Sequence, residues 1–269
     1  MKAGTLLAAL VSSLALATPA SGAITFVSKW GAQGPAEGQF NQPRSVATDS
    51  AGNVYVADQL NARVQKFGPD GTFQLMWGYG VDNGSAMPQV CTSGCQAGLA
   101  GPGPGQFASG SPAGVAVDAA GNVYLADRNN NRVQKFTSGG AFLDEFGSVG
   151  PFDSQLNAPE GVAVDSAGNV YVAELGNDRV QKFDGTGAFV RMWGWGVDDG
   201  SAAPQVCEDA CQAGISGSGD GQFADPWDLA LDGSGNVYVA EDGNNRIQKF
   251  DGNGGFLGKW GTAGTADGQ

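Results

Sequence analysis

From residue 40 onward, short runs of apolar residues alternate with turn-forming clusters, and nowhere is there helical periodicity. In the clearest stretch, Gly161-Val-Ala-Val-Asp165 is small and apolar and predicts a crowded inner strand. Ser166-Ala-Gly-Asn169 supplies a turn, because Gly and Asn tolerate positive φ. Val170-Tyr-Val-Ala173 is a β-branched and aromatic strand. Arg179-Val-Gln-Lys-Phe183 alternates polar and apolar, as a strand with one wet face does. Asp184-Gly-Thr-Gly187 turns again, and Phe189-Val-Arg-Met-Trp193 is a fourth strand. Four antiparallel strands in so short a stretch predict one blade of a β-propeller.

The pattern repeats. Gly52-Asn-Val-Tyr-Val-Ala-Asp58 returns from Gly121 to Asp127, from Gly168 to Glu174 and from Gly235 to Glu241. Each copy leads to Asn-x-Arg-Val/Ile-Gln-Lys-Phe at 61–67, 130–136, 177–183 and 244–250, and each is preceded by an apolar run ending in Asp49, Asp118, Asp165 or Asp232. Gly-Gln-Phe recurs at 38–40, 105–107 and 221–223. In order, spacing and residue type these units resemble the NHL repeat, over residues 29 to 269. The resemblance implies an all-β, six-bladed propeller used as a binding platform; the Ala- and Gly-rich composition and the N-terminal signal described below point to a secreted, bacterial member of the family. Where many members carry His before the third-strand Arg, this chain has Ala62, Asn131, Asp178 and Asn245. Repeats are expected at about 29–78, 79–147, 148–194 and 195–261, making residues 24–269 one propeller domain. A fifth unit begins at Gly261, so four complete blades and the start of another are expected to be a fragment of a six-bladed ring.

Two insertions, 79–98 and 195–214, explain the unequal spacing. They hold all four cysteines. Paired cysteines in a secreted chain predict the disulfides Cys91–Cys95 and Cys207–Cys211. A zinc site is the sharper alternative, opposed by the oxidising compartment. Asp82-Asn-Gly-Ser85 and Asp198-Asp-Gly-Ser201 lack the spaced carboxylates and closing Glu of a calcium loop, so Asx turns are the simpler expectation. Tyr79 and Trp195, leading into the insertions, either form an aromatic surface or pack the loop on its own blade.

Residues 1–23 read as a signal peptide, with Lys2, an apolar stretch from Leu6 to Ala17, and cleavage predicted after Ala23. A secreted or cell-envelope location follows, and no later apolar run is long enough to span a membrane. The chain has 27 Asp+Glu against 14 Lys+Arg, a balance that works against nucleic acid and anionic membranes. It has no histidine, which removes the commonest general base and metal ligand. No catalytic motif, catalytic residue, metal ligand set or cofactor site stands out.

Residues present in every unit suit structure better than chemistry. Asp58, Asp127, Glu174 and Glu241 are expected to pair with Arg63, Arg132, Arg179 and Arg246 or with nearby backbone. Asn61, Asn130, Asn177 and Asn244 read as turn residues, and Trp77, Phe146, Trp193 and Trp260 as core between blades. Function is sought where equivalent positions differ: after a Pro at the inner-strand mouth stand Arg44-Ser45, Ala113-Gly114, Glu160-Gly161 and Trp227-Asp228. Arg44, Glu160, Trp227 and Asp228 are therefore the candidate ligand-binding residues. The expected function is a scaffold recognising a protein or carbohydrate. The alternative is a lactonase-like hydrolase whose channel holds a divalent Ca or Zn ion through carboxylates such as Glu160 and Asp228.

Overall fold

A computed structural model describes residues 26–269; the signal peptide expected at 1–23 lies outside the described residues. The chain is all-β, with four blades of a propeller. Two short strands, β1 (Ala32–Gln33) and β2 (Gln39–Phe40), pair in parallel ahead of the first blade. Blade 1 is β3 (Pro43–Thr48), β4 (Val54–Asp58), β5 (Arg63–Phe67), β6 (Phe73–Tyr79) and β7 (Pro88–Cys91). Blade 2 is β8 (Val115–Val117), β9 (Val123–Asp127), β10 (Arg132–Phe136) and β11 (Phe142–Phe146). Blade 3 is β12 (Pro159–Val164), β13 (Val170–Glu174), β14 (Arg179–Phe183), β15 (Phe189–Trp195) and β16 (Pro204–Cys207). Blade 4 is β17 (Pro226–Leu231), β18 (Val237–Glu241), β19 (Arg246–Phe250) and β20 (Phe256–Trp260). Within each blade consecutive strands pair antiparallel.

Two differences from the sequence reading concern the insertions. Each forms a fifth strand, not a loop, with Trp77 opposite Val90 and Trp193 opposite Val206. Each therefore belongs to the blade before it, so blades 1 and 3 are the long ones. Gly80 and Gly196, at φ +68° and +70°, turn the chain back at the end of the fourth strand. Cys91–Cys95 and Cys207–Cys211 are bonded, each with a Cα–Cα separation of 5.7 Å. Asx turns form in both segments: Asn83 Oδ1 accepts from the Ser85 amide at 3.0 Å, and Asp199 Oδ1 from the Ser201 amide at 2.8 Å.

Apolar clusters join consecutive blades. Tyr55, Ala57 and Trp77 of blade 1 meet Phe107, Leu125 and Phe136 of blade 2, and equivalent groups join blades 2 to 3 and 3 to 4. Trp77 and Trp193 are fully buried, each edge-on to its own blade's tyrosine and tilted against the next blade's phenylalanine. Trp260 corrects the expectation of an inter-blade core residue. It is 48% exposed, because among the described residues no blade covers it.

Candidate functional site

The recurring residues form a buried network repeated in every blade. In blade 1 the Asp58 carboxylate accepts from Arg63 Nε (2.8 Å), Asn61 Nδ2 (2.9 Å), Gln65 Nε2 (3.1 Å) and the Asn41 amide (2.7 Å). Arg63 in turn donates through Nη2 to the carbonyls of Ala36 and Gln39, at 2.8 and 2.7 Å. Asp127–Arg132, Glu174–Arg179 and Glu241–Arg246 repeat the pairing at 2.9, 2.7 and 2.8 Å. Each arginine thus clamps the Gly-rich loop entering its own blade, and the carboxylate holds the arginine. Such charge-assisted bonds satisfy loop carbonyls that no strand partner reaches. Gln65, Gln134, Gln181 and Gln248 belong to the same network, fully buried. Their recurrence in Arg-Val/Ile-Gln-Lys-Phe was the available signal for that role.

The variable residues sit elsewhere, where the inner strands converge. Arg44, Ala113, Glu160 and Trp227 occupy equivalent places after Pro43, Pro112, Pro159 and Pro226, one on each blade. The position after them lies where neighbouring inner strands nearly touch. A Cβ on Gly114 would lie 2.5 Å from the Glu160 carbonyl, and one on Gly161 would lie 2.7 Å from Asp228 Cα. Those glycines are there for close backbone approach. Ser45 fills the same place in blade 1, where its hydroxyl accepts from the Val115 amide at 3.2 Å.

Three of the four candidate residues meet across the axis. Arg44 Nη2 donates to Glu160 Oε2 at 2.8 Å, from blade 1 to blade 3. The same guanidinium lies over the Trp227 ring of blade 4, 4.2 Å from its centroid. Arg128 pairs with Glu160 Oε1 through its Nε. Asp228 lines the cleft beside Trp227, together with Arg44, Ser45 and Glu160. An adjoining cavity of about 320 Å³ is lined by Pro43, Arg44, Ser45, Val46, Val56 and Asp228. Sequence reasoning missed Arg128. It follows Asp127 where other blades have Gln59, Leu175 and Asp242, so the rule of seeking differences among equivalent positions would have found it.

Glu160 is 2% exposed, while Trp227 is 40% exposed. Burial pushes the Glu160 carboxyl above its ordinary value, against the pull of Arg44 and Arg128, and the nearby Asp228 charge adds to the rise. Asp228 is also raised: the surrounding protein strips part of its hydration, outweighing the Leu229 amide and Arg44. The centre therefore offers an aromatic face, a cation and two carboxylates reluctant to ionise. Among the described residues no group of three or more His, Cys, Asp or Glu is placed to hold a metal ion. Both Glu160 oxygens already face guanidinium groups. The residues present do not fit a carboxylate-held divalent ion.

Tyr79 and Trp195 pack on the Gly-rich loop that enters the next blade, neither forming an open aromatic surface nor packing the insertion on its own blade. Trp195 Nε1 donates to the Asp220 carbonyl at 2.9 Å, and the Tyr79 hydroxyl lies against Gly103.

Compared with known families, the chain matches the NHL repeat at residues 40–67, 110–136, 156–183 and 223–250. Among curated relatives, it is 32% identical over 101 residues to NHL repeat-containing protein 3 of Homo sapiens, covering 36% of this chain and 23% of that protein. It is 34% identical over 99 residues to peptidyl-glycine alpha-amidating monooxygenase B of Xenopus laevis, covering 36% and 9%. It is 48% identical over 46 residues to Protein lin-41 of Caenorhabditis elegans, covering 17% and 4%. The matched segments thus span less than a quarter of each of these relatives. Among solved structures, a virginiamycin B lyase from Staphylococcus aureus with quinupristin aligns over 87% of this chain and 58% of that one, with 14% identity and a TM-score of 0.47.

Proposed function

The chain belongs to the NHL-repeat proteins, and from that premise we propose that it is a secreted binding module whose propeller axis recognises a protein or glycan partner. One observation carries this reading. The inner-strand residues that differ between blades, unlike the repeated clamps, converge: Arg44 of blade 1 reaches Glu160 of blade 3 at 2.8 Å and Trp227 of blade 4 at 4.2 Å. A half-exposed tryptophan under a guanidinium suits the apolar face of a sugar ring or an aromatic or acidic side chain. The two disulfides accord with an extracellular setting, and among the described residues no helix is long and apolar enough to cross a membrane. The acidic chain points away from nucleic acid.

Tryptophan fluorescence titrated with a defined set of glycans and short peptides tests this. A saturable change is expected with one class. Trp227→Ala and Arg44→Ala should weaken it at least about tenfold, as removal of an interface anchor does, with thermal unfolding unchanged for Trp227→Ala and lowered for Arg44→Ala, which takes one partner from the buried Glu160. Binding indifferent to both substitutions would overturn the site, and steady turnover of the ligand would overturn the pure binding role.

A further inference from the structure

The two insertions are near copies, so the one in blade 3 shows what a change in the other would do. Residues 79–98 read YGVDNGSAMPQVCTSGCQAG, and residues 195–214 read WGVDDGSAAPQVCEDACQAG. Asn83 stands in the first where Asp199 stands in the second. In an Asn-Gly pair the asparagine loses its side-chain nitrogen most readily, because glycine has no side chain to screen its backbone nitrogen from attacking. The chain has two such pairs, Asn83-Gly84 and Asn253-Gly254.

The fold treats the two differently. Asn83 and Gly84 are both exposed, and a Cβ on Gly84 would meet only the end of the Gln96 side chain, at 3.3 Å. Two donors converge on the Asn83 side-chain oxygen, the Ser85 amide at 3.0 Å and Gln89 Nε2 at 2.6 Å. Attack on Cγ places negative charge on that oxygen, and donors already aimed there stabilise it as an oxyanion hole does. The Gly84 amide donates to the Gly80 carbonyl at 2.9 Å and has to be released first. In an exposed turn such an opening costs little. Asn253 is exposed as well, but Gly254 is buried beneath Trp193, which would lie 2.9 Å from an added Cβ. Freeing the Gly254 nitrogen means lifting a fully buried indole from the junction of blades 3 and 4.

The product also has a place ready. Asp199 Oδ1 accepts from the Ser201 amide at 2.8 Å and from Gln205 Nε2, and Gly200 has the same φ as Gly84, +76°. Gln205 and the Ser201 amide hold the Asp199 carboxyl down to about 2. An aspartate at 83 would be a stable anion in the same turn.

We propose that Asn83 is a self-modification site, deamidated to aspartate and isoaspartate in the folded protein through attack by the Gly84 nitrogen. That nitrogen bonds to Asn83 Cγ, the Cγ–Nδ2 bond breaks, and Nδ2 leaves as ammonia with the proton Gly84 has given up. Water then opens the five-membered imide. Cleavage of the new N–Cγ bond restores the backbone with aspartate at 83. Cleavage of the bond from that nitrogen to the Asn83 carbonyl carbon gives isoaspartate. The sum is asparagine plus water yielding the acid plus ammonia. The aspartate form gives the first insertion the adjacent carboxylates that Asp198-Asp199 give the second. The isoaspartate form lengthens the backbone by one carbon and breaks the Asx turn. Neither step uses an axial residue.

Peptide mass spectrometry of the folded chain held at mildly alkaline pH tests this. Trypsin places Asn83 and Asn253 in separate peptides, 67–128 and 250–259. In the folded protein, exchange of the amide nitrogen for oxygen at Asn83 should outpace that at Asn253 at least about tenfold. In urea with the disulfides reduced, the two rates should converge. Gln89→Ala leaves the Asn-Gly pair in place and should slow the conversion several-fold in the folded state but not in urea. Asn83→Asp should keep the circular dichroism spectrum and thermal unfolding of the unmodified chain. Equal rates for the two asparagines in the folded protein overturn the proposal. So does an Asn83 that stays intact while folded, or a Gln89→Ala variant that converts as fast as the unsubstituted chain or faster.

Discussion

The carboxylates of this chain fall into two kinds that should respond oppositely to acid. Asp165 closes a turn. Burial alone would raise its carboxyl, but the Asn169 side chain and amide, the Tyr171 hydroxyl and the Ala167 amide together hold it below the ordinary value. A depressed folded value means its stabilisation is complete above the unfolded value, about 3.9, and is lost as pH falls through the lower folded one. Glu160 is the reverse. Its folded value is raised by burial, so its charge costs stability above that value, and the cost is relieved as pH falls through it toward the unfolded value near about 4.3. Acidification should first neutralise Glu160, loosening Arg44 and Arg128 at the axis, and only later protonate the turns. Carboxyl 13C chemical shifts followed by NMR check the order. Glu160 is expected to titrate above an ordinary glutamate and Asp165 below an ordinary aspartate; the opposite order would refute the account.

At the scale of strands and turns, the repeated glycines are not equivalent. Gly235 sits in a hairpin turn at φ +80°, with nothing within 4 Å of an added Cβ. Gly254 has φ +92°, and its Cβ would lie 2.9 Å from Trp193. Gly235→Ala carries only the left-handed backbone penalty, about 1–2 kcal/mol. Gly254→Ala adds overpacking against a buried ring and should cost about 2–4 kcal/mol. Urea unfolding of the two variants distinguishes these, and equal losses would mean the aromatic seat is not tightly packed. Turns of this kind were legible because their chemistry is local. Asp165 reaches no further than Tyr171, the Gly187 amide donates back to the Asp184 carbonyl at 3.0 Å, and each cysteine pair is four residues apart. The fifth strands were not legible. Pro88-Gln-Val-Cys91 does not alternate cleanly, and it is a strand through its pairing with Met76–Tyr79 of β6. Nor was the convergence of Arg44, Arg128 and Glu160, which depends on how closely three blades approach the axis. The exposure of Trp260 escaped for a related reason, since its three counterparts differ from it only in having a next blade.

For the whole molecule, stability should be distributed as in a repeat array, where each unit is held by its own folding and by its contacts with neighbours. Blades 2 and 3 each have apolar clusters on both flanks. Among the described residues blade 4 has its cluster on one flank, and blade 1 has the partial cover of residues 30–40 on its outer one. The second strands record this difference with nearly the same sequence. Val123–Asp127 and Val170–Glu174 are buried at every position, whereas Tyr238 and Ala240 of Val237–Glu241 are only partly buried. Local opening needs the loss of fewer contacts where a flank is uncovered, so opening free energies should fall from the middle blades toward blade 4. Native-state hydrogen exchange measures this directly. The amides of Val170–Glu174 should exchange only through the most complete unfolding, and those of Val237–Glu241 through a cheaper opening that leaves blades 2 and 3 protected. Uniform protection across all four blades would show that the blades fold as one cooperative unit, and that the difference in burial has no energetic consequence.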